Sequence, residues 1–191
     1  MTPIDLTAVL GSVTAPGRLR RALAEALDRL DPTRAHGRLI DLAERRIAFA
    51  DGRSPADLDD DTADVVAELI TAEAVVLATP IYRGSLTGAL KNLLDHVPVD
   101  ALRDTPVAIV AMGGSDHHYL GAERHLRDVL AWFGALIVPT AVYLTGRDFA
   151  EGMPGERAVG ELDAAMRSLV ELVAARRGGP SLGPLPLSAR Y

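Results

Sequence analysis

The stretch Ala74-Val75-Val76-Leu77-Ala78-Thr79-Pro80-Ile81-Tyr82-Arg83-Gly84-Ser85 decides the fold. Its first five residues form an unbroken apolar run, which suits a strand buried on both faces in the middle of a parallel sheet. Pro80 then fixes the chain just beyond the strand end. The same pattern recurs downstream, where Pro106-Val107-Ala108-Ile109-Val110-Ala111 ends at Gly113-Gly114. Upstream, Ile4-Asp5-Leu6-Thr7-Ala8-Val9-Leu10 reads as a strand that ends at Gly11-Ser12. Arg38-Leu39-Ile40-Asp41-Leu42 reads as a shorter second strand. Leu136-Ile137-Val138 with Ala141-Val142-Tyr143-Leu144 reads as a fifth, bent or started near Pro139. Between these runs the apolar period changes. Leu19, Leu23, Ala26, Leu27 and Leu30 predict a helix over 18–30, stopped by Pro32. Val65, Val66, Leu69 and Ile70 predict another, with Asp61 or Thr62 as its cap. Further helices are predicted over 85–96, 119–133 and 156–177, and 43–61 reads as an acidic loop with at most one helical turn. Strands alternating with helices predict an α/β fold, an open sheet of five parallel strands with helices on both faces.

A chain of 191 residues suits one domain, placed at 1–177. The segment 178–191, with Pro180, Pro184 and Pro186, shows no helix or strand period; it is expected to be mobile or draped over a neighbouring subunit. Lys and Arg total 20 against 26 Asp and Glu, a net charge of −6, which argues against nucleic acid as a partner. The absence of cysteine excludes disulfides, thiolate metal sites and a cysteine nucleophile. The first ten residues lack a basic, then apolar, leader, and no apolar run approaches the roughly 20 residues that span a bilayer. The expectation is a soluble, cytoplasmic protein with no membrane contact.

In an open parallel sheet, ligands bind beyond the carboxyl ends of the strands. Three such ends combine glycines, hydroxyls and few bulky apolar groups. The first, Gly11 to Arg18, leads into a helix N-terminus, where unpaired N–H groups and the helix dipole favour an anion. Ser12 and Thr14 supply hydroxyls, Gly17 allows close approach, and Arg18 supplies charge. The loop lacks both the dinucleotide G-x-G-x-x-G and the P-loop G-K-[ST], so an ordinary strand–helix turn is the alternative. In the second, Tyr82 precedes Gly84, which frees the backbone to meet a flat ligand. Gly88 and Ala89 at the start of the next helix cost helix propensity and suggest close packing. Lys91 and Asp95 stand four apart, as a surface pair or a subunit contact. The third loop carries Asp116, His117 and His118. Adjacent histidines seldom face one ion and no third ligand converges, so no metal is expected. A Ser–His–Asp hydrolase would need the missing G-x-S-x-G elbow. His36 and His125 read as surface residues of a loop and a helix.

The first loop, the segment from Thr79 to Ser85 followed by Gly88-Ala89-Leu90-Lys91-Asn92-Leu93-Leu94-Asp95, and Gly113-Gly114 with His118 resemble the NAD(P)H-dependent FMN reductases of flavodoxin-like fold. The likeness runs from about Ile4 to Phe149. Within that family it is nearest to the branch supplying reduced flavin to two-component alkanesulfonate-type monooxygenases. The resemblance implies FMN with its phosphate at Ser12, Thr14, Gly17 and Arg18. The ring would lie along Pro80, Ile81, Tyr82, Arg83 and Gly84, with Gly113, Gly114 and His118 on the other side. Hydride would pass from NADH or NADPH to the flavin, with no catalytic acid, base or nucleophile supplied by the protein. It further implies a homodimer or homotetramer and a flavin-dependent monooxygenase as partner. Two positions depart from the family: Gly17 stands where a serine is usual, and Arg124 falls near a tyrosine of the sulfonate branch. The alternatives are an FMN-containing quinone, azo or nitro reductase, and a non-enzymatic flavodoxin-type electron carrier.

Overall fold

In the computed structural model, which describes residues 2–14 and 16–184, the alternation of side chains along the central strands sets the layers. In β3 (Ala74–Pro80), Ala74, Val76 and Ala78 face one way, while Val75 and Leu77 face the other. β4 (Pro106–Met112) repeats this with Ala108 and Val110 against Val107 and Ile109. The face with more alanine receives α1 (Arg18–Asp28) and α5 (Glu156–Arg176). The opposite face, with bulkier residues, receives α2 (Thr62–Ile70), α3 (Gly88–His96) and α4 (Tyr119–Phe133). Each strand run is therefore apolar throughout because each residue meets a helix layer on one side or the other.

β1 (Ile4–Leu10) pairs in parallel with both β2 (Ala35–Asp41) and β3, and β3 pairs with β4. The order β2-β1-β3-β4-β5 is the flavodoxin-like one, with strand order reversing between β1 and β3. The fifth position is interrupted. β5 (Leu136–Ile137) pairs with the start of β4, and β6 (Val142–Leu144) with its end. β4 advances three residues from Val107 to Val110 while the fifth position advances five from Ile137 to Val142, so two extra residues bulge out beside Pro139. A hairpin of β7 (Phe149–Ala150) and β8 (Met153–Pro154) then leads into α5.

Several expectations are corrected. The second strand starts at Ala35, so His36 lies on a strand rather than in a loop, exposed at the sheet edge. α3 starts at Gly88, and Ser85 stands outside it, because the Thr87 side chain accepts from Leu90 N–H and fixes the boundary. Gly88 itself is exposed, with open space where a Cβ would point, so no close packing selects it. Asp61 occupies the cap position of α2, but its carboxylate accepts from Arg46 N–H instead; Asp60 takes the Thr62 N–H. The loop over 43–61 holds one helical turn at Pro55–Asp57. Beyond α5, Leu182 N–H donates to Asp104 at 3.2 Å, which ties the start of the tail to its own chain; the tail beyond residue 184 lies outside the described residues. Among the described residues no helix is long and apolar enough to cross a membrane.

Candidate functional site

At the carboxyl end of β1 the chain turns into α1 through Ser12, Thr14 and Gly17. The Ser12 and Thr14 hydroxyls lie 2.9 Å apart on the exposed side of this loop. Gly17 is the N-cap of α1 and has no side chain, so the first N–H groups of the helix receive no side-chain acceptor. Arg18 follows at once. Among the described residues no carboxylate pairs with it, and its guanidinium lies over the Phe149 ring, 5.7 Å from the centroid. Two hydroxyls, an uncapped helix N-terminus and an unneutralised guanidinium form a donor set suited to a phosphate monoester.

Beyond β3 the second loop is held by exchange of both backbone bonds between Tyr82 and Ser85, at 3.0 and 3.1 Å. Arg83 and Gly84 between them have φ of 53° and 76°, so the loop is a two-residue turn with both central residues left-handed, a type I′ geometry. Gly84 is thus required by the turn itself. The loop is seated on its neighbours. Ile81 N–H donates to Met112 O at 2.8 Å, and Ser85 Oγ meets His125 Nδ1 at 2.7 Å. A Cβ on Gly121 would stand 2.5 Å from Gly84 O, so α4 closes on this turn with its glycine. His125 therefore braces the second loop and is not merely a surface residue.

Loops one and two are bolted together by threonines that the sequence reading passed over. Thr87 Oγ1 donates to Gly11 O while accepting from Leu90 N–H, and Thr87 N–H donates to Thr79 Oγ1 at 3.1 Å. Both threonines are buried. At the end of β4, Gly113 N–H donates to Leu144 O at 2.9 Å. The Tyr143 hydroxyl crosses above and donates to Ser115 O at 2.5 Å; burial raises its pKa, and the nearby Asp116 charge adds to that. His118 is exposed, with Nδ1 3.5 Å from Ser115 Oγ, and His117 is exposed beside it. Among the described residues no cluster of three His, Asp or Glu side chains could hold a metal ion.

The structure brings Ser12, Thr14, Gly17, Arg18, Pro80 and Tyr82 around one cavity of about 250 Å³, closed below by Leu10 and Met112. Ile81, Arg83, Gly84, Gly113, Gly114 and His118 stand in the adjoining loops at the same strand ends but do not line it. A larger concavity, about 920 Å³, runs along the outer edge of β5 and β6 against α5 and touches the rim only through Asp116, Tyr143, Thr145 and Arg147. The smaller cavity is the candidate site, because it lies where strand order reverses and where the donor set converges.

Residues 4–150 match the family described as NADPH-dependent FMN reductase. The chain belongs to this family. Membership makes it an oxidoreductase working with FMN and a nicotinamide nucleotide. It is 34% identical to the FMN reductase (NADPH) of Pseudomonas aeruginosa over 188 residues, 94% of this chain and 96% of that one. It is 39% identical to the NAD(P)H-dependent FAD/FMN reductase of Geobacillus thermodenitrificans over 113 residues, 59% of this chain; the match spans 61% of that relative's length. Among solved structures, an NADH:FMN oxidoreductase (EMOB) in its apo form superposes with a TM-score of 0.76 at 26% identity, over 98% of this chain and all of that one.

Proposed function

We propose that this family member binds FMN across the cavity at the β1, β3 and β4 strand ends and reduces it with NADH or NADPH for release to a flavin-dependent monooxygenase. The observation that carries the proposal is the meeting of the Ser12 and Thr14 hydroxyls, the uncapped α1 N-terminus and Arg18, which pairs with no carboxylate among the described residues, with Pro80 and Tyr82 around one cavity. When bound, FMN supplies the redox chemistry by taking hydride from the reduced nicotinamide. The chain's own residues bind and orient. Ser12, Thr14 and the α1 N–H groups donate to phosphate oxygens, and Arg18 offsets their charge. The turn at Tyr82–Ser85, braced by His125 and Gly121, offers a rigid edge for the ring. Tyr82 is half exposed, which fits a ring face open to a second planar group.

Gly17 in place of a hydroxyl-bearing residue removes one donor, which goes with a flavin that is released after reduction. Exposed Tyr119 and Leu120 at the start of α4 support assembly of two or four copies. A cytoplasmic setting accords with the need for a reduced nicotinamide supply. Purified protein should oxidise NADH or NADPH steadily once FMN is added, followed by the fall in nicotinamide absorbance. Consumption of neither nucleotide would end the reductase reading.

A further inference from the structure

Arg18 enters the rim from the first position of α1, and among the described residues what holds its side chain is not a carboxylate. Its guanidinium lies over the Phe149 ring, with Cζ 5.7 Å from the ring centroid. On another side stands Gly146, where an added Cβ would come within 3.2 Å of Arg18 Nη1. The guanidinium thus occupies a slot made by the segment after β6. That segment is fixed from behind. The Asp148 carboxylate accepts from Thr145 N–H at 2.7 Å and from Arg157 Nε at 2.8 Å, and Gly155 N–H donates to Asp148 O at 2.8 Å. Phe149 itself pairs with Pro154 in the β7–β8 hairpin. Arg21 adds a second tie from α1, donating to Gly152 O at 3.0 Å.

A place over an aromatic ring has a consequence that pairing with a carboxylate would not have. A carboxylate would use the in-plane N–H groups of Arg18 and cancel its charge. A ring brings no opposite charge and no carboxylate oxygen, so the full charge of Arg18 remains for an anion. A long side chain loses rotamer freedom when it grips a ligand, and holding it beforehand removes part of that loss. From this geometry we infer that Phe149 is a positioning residue: it holds Arg18 ready for the flavin phosphate and so sets the preference for FMN over riboflavin. The inference rests on the reading of Arg18 as a phosphate ligand given above.

The test measures the affinities of the full chain for FMN and for riboflavin by flavin fluorescence quenching, in the unsubstituted protein, R18A, F149L, F149W and the R18A/F149L double variant. R18A should lower the ratio of FMN to riboflavin affinity by about tenfold or more, the loss of a charge-assisted contact. F149L should lower it by about two- to fivefold with riboflavin affinity unchanged, and F149W should restore it. In the R18A background, Phe149→Leu should change nothing further. If R18A leaves the ratio unaltered, the phosphate reading of the first loop is wrong. If R18A lowers it but F149L does not, or F149L lowers it equally without Arg18, the loop reading stands and the role given to Phe149 is overturned. Circular dichroism melting accompanies each variant. Should F149L fail to fold, F149M provides an apolar chain without a π face in the same comparison.

Discussion

A Cβ on Gly113 would stand 2.0 Å from the Tyr143 hydroxyl, so the glycine at the end of β4 answers to one neighbouring atom. Gly113→Ala would displace Tyr143 from its bond to Ser115 O and should cost about 1–3 kcal/mol, read as a lower urea midpoint. Asp148 is the other residue on which much local order depends. Burial pushes its carboxyl up, but the Arg157 guanidinium and the Thr145 N–H and hydroxyl together outweigh burial and hold it below the ordinary 3.8. A carboxylate held low contributes stability at every pH above its unfolded value, and the contribution fades as pH falls through the lower folded value. Asp148→Asn should therefore destabilise the protein near neutrality by about 1–2 kcal/mol, a figure kept modest because Arg157 is half exposed. The gap between the two proteins should narrow below about pH 4. Urea titrations at neutral and acid pH check both statements, and a gap that widens toward acid would contradict them.

At the scale of elements, the junction between loop one and α3 depends on Thr87, which caps the helix and donates to Gly11 O. Thr87→Ala removes the cap and leaves a buried carbonyl without its partner, so it should cost about 2–3 kcal/mol, while Thr87→Ser should keep nearly all of that stability. Equal urea midpoints for the two variants would show that the hydroxyl does not join the loops. Thr87 also shows what the sequence could disclose. The buried strands were readable because an apolar run closed by Gly or Pro has few other uses, and β1, β3 and β4 stand where those runs are. β2 was misplaced by three residues at its start because Ala35-His36-Gly37 carries no apolar run; its pairing with β1 comes from tertiary contacts. The split of the fifth position was visible as Pro139, but its register shift depends on β4 and is not local. In the candidate site, the hydroxyls and Arg18 of loop one were legible as chemistry. Gly146, Phe149 and His125 were not, since each acts on a residue far away in the chain and belongs to no short motif.

At the scale of the whole molecule, the candidate cavity is shared by segments from four separate parts of the chain. Loop one comes from β1, Pro80 and Tyr82 from β3, Met112 from β4, and the guanidinium slot from beyond β6. A ligand binding all of them stabilises the folded chain alone, since the unfolded chain has no such assembly. At free FMN one hundred times its dissociation constant the gain is about 2.7 kcal/mol. For a chain of this size each kcal/mol moves the melting temperature by about 2–4 °C, so FMN should raise it by about 5–10 °C. Riboflavin at the same concentration should raise it less, because it offers nothing to Ser12, Thr14, the α1 N-terminus or Arg18. Thermal melts followed by far-ultraviolet circular dichroism, with each flavin in turn, make the comparison. Equal shifts with the two flavins would mean that the ring is held without the phosphate, and the first loop would revert to an ordinary strand–helix turn. A larger shift with FMN that disappears in R18A would tie the added stability to the Arg18 guanidinium over Phe149.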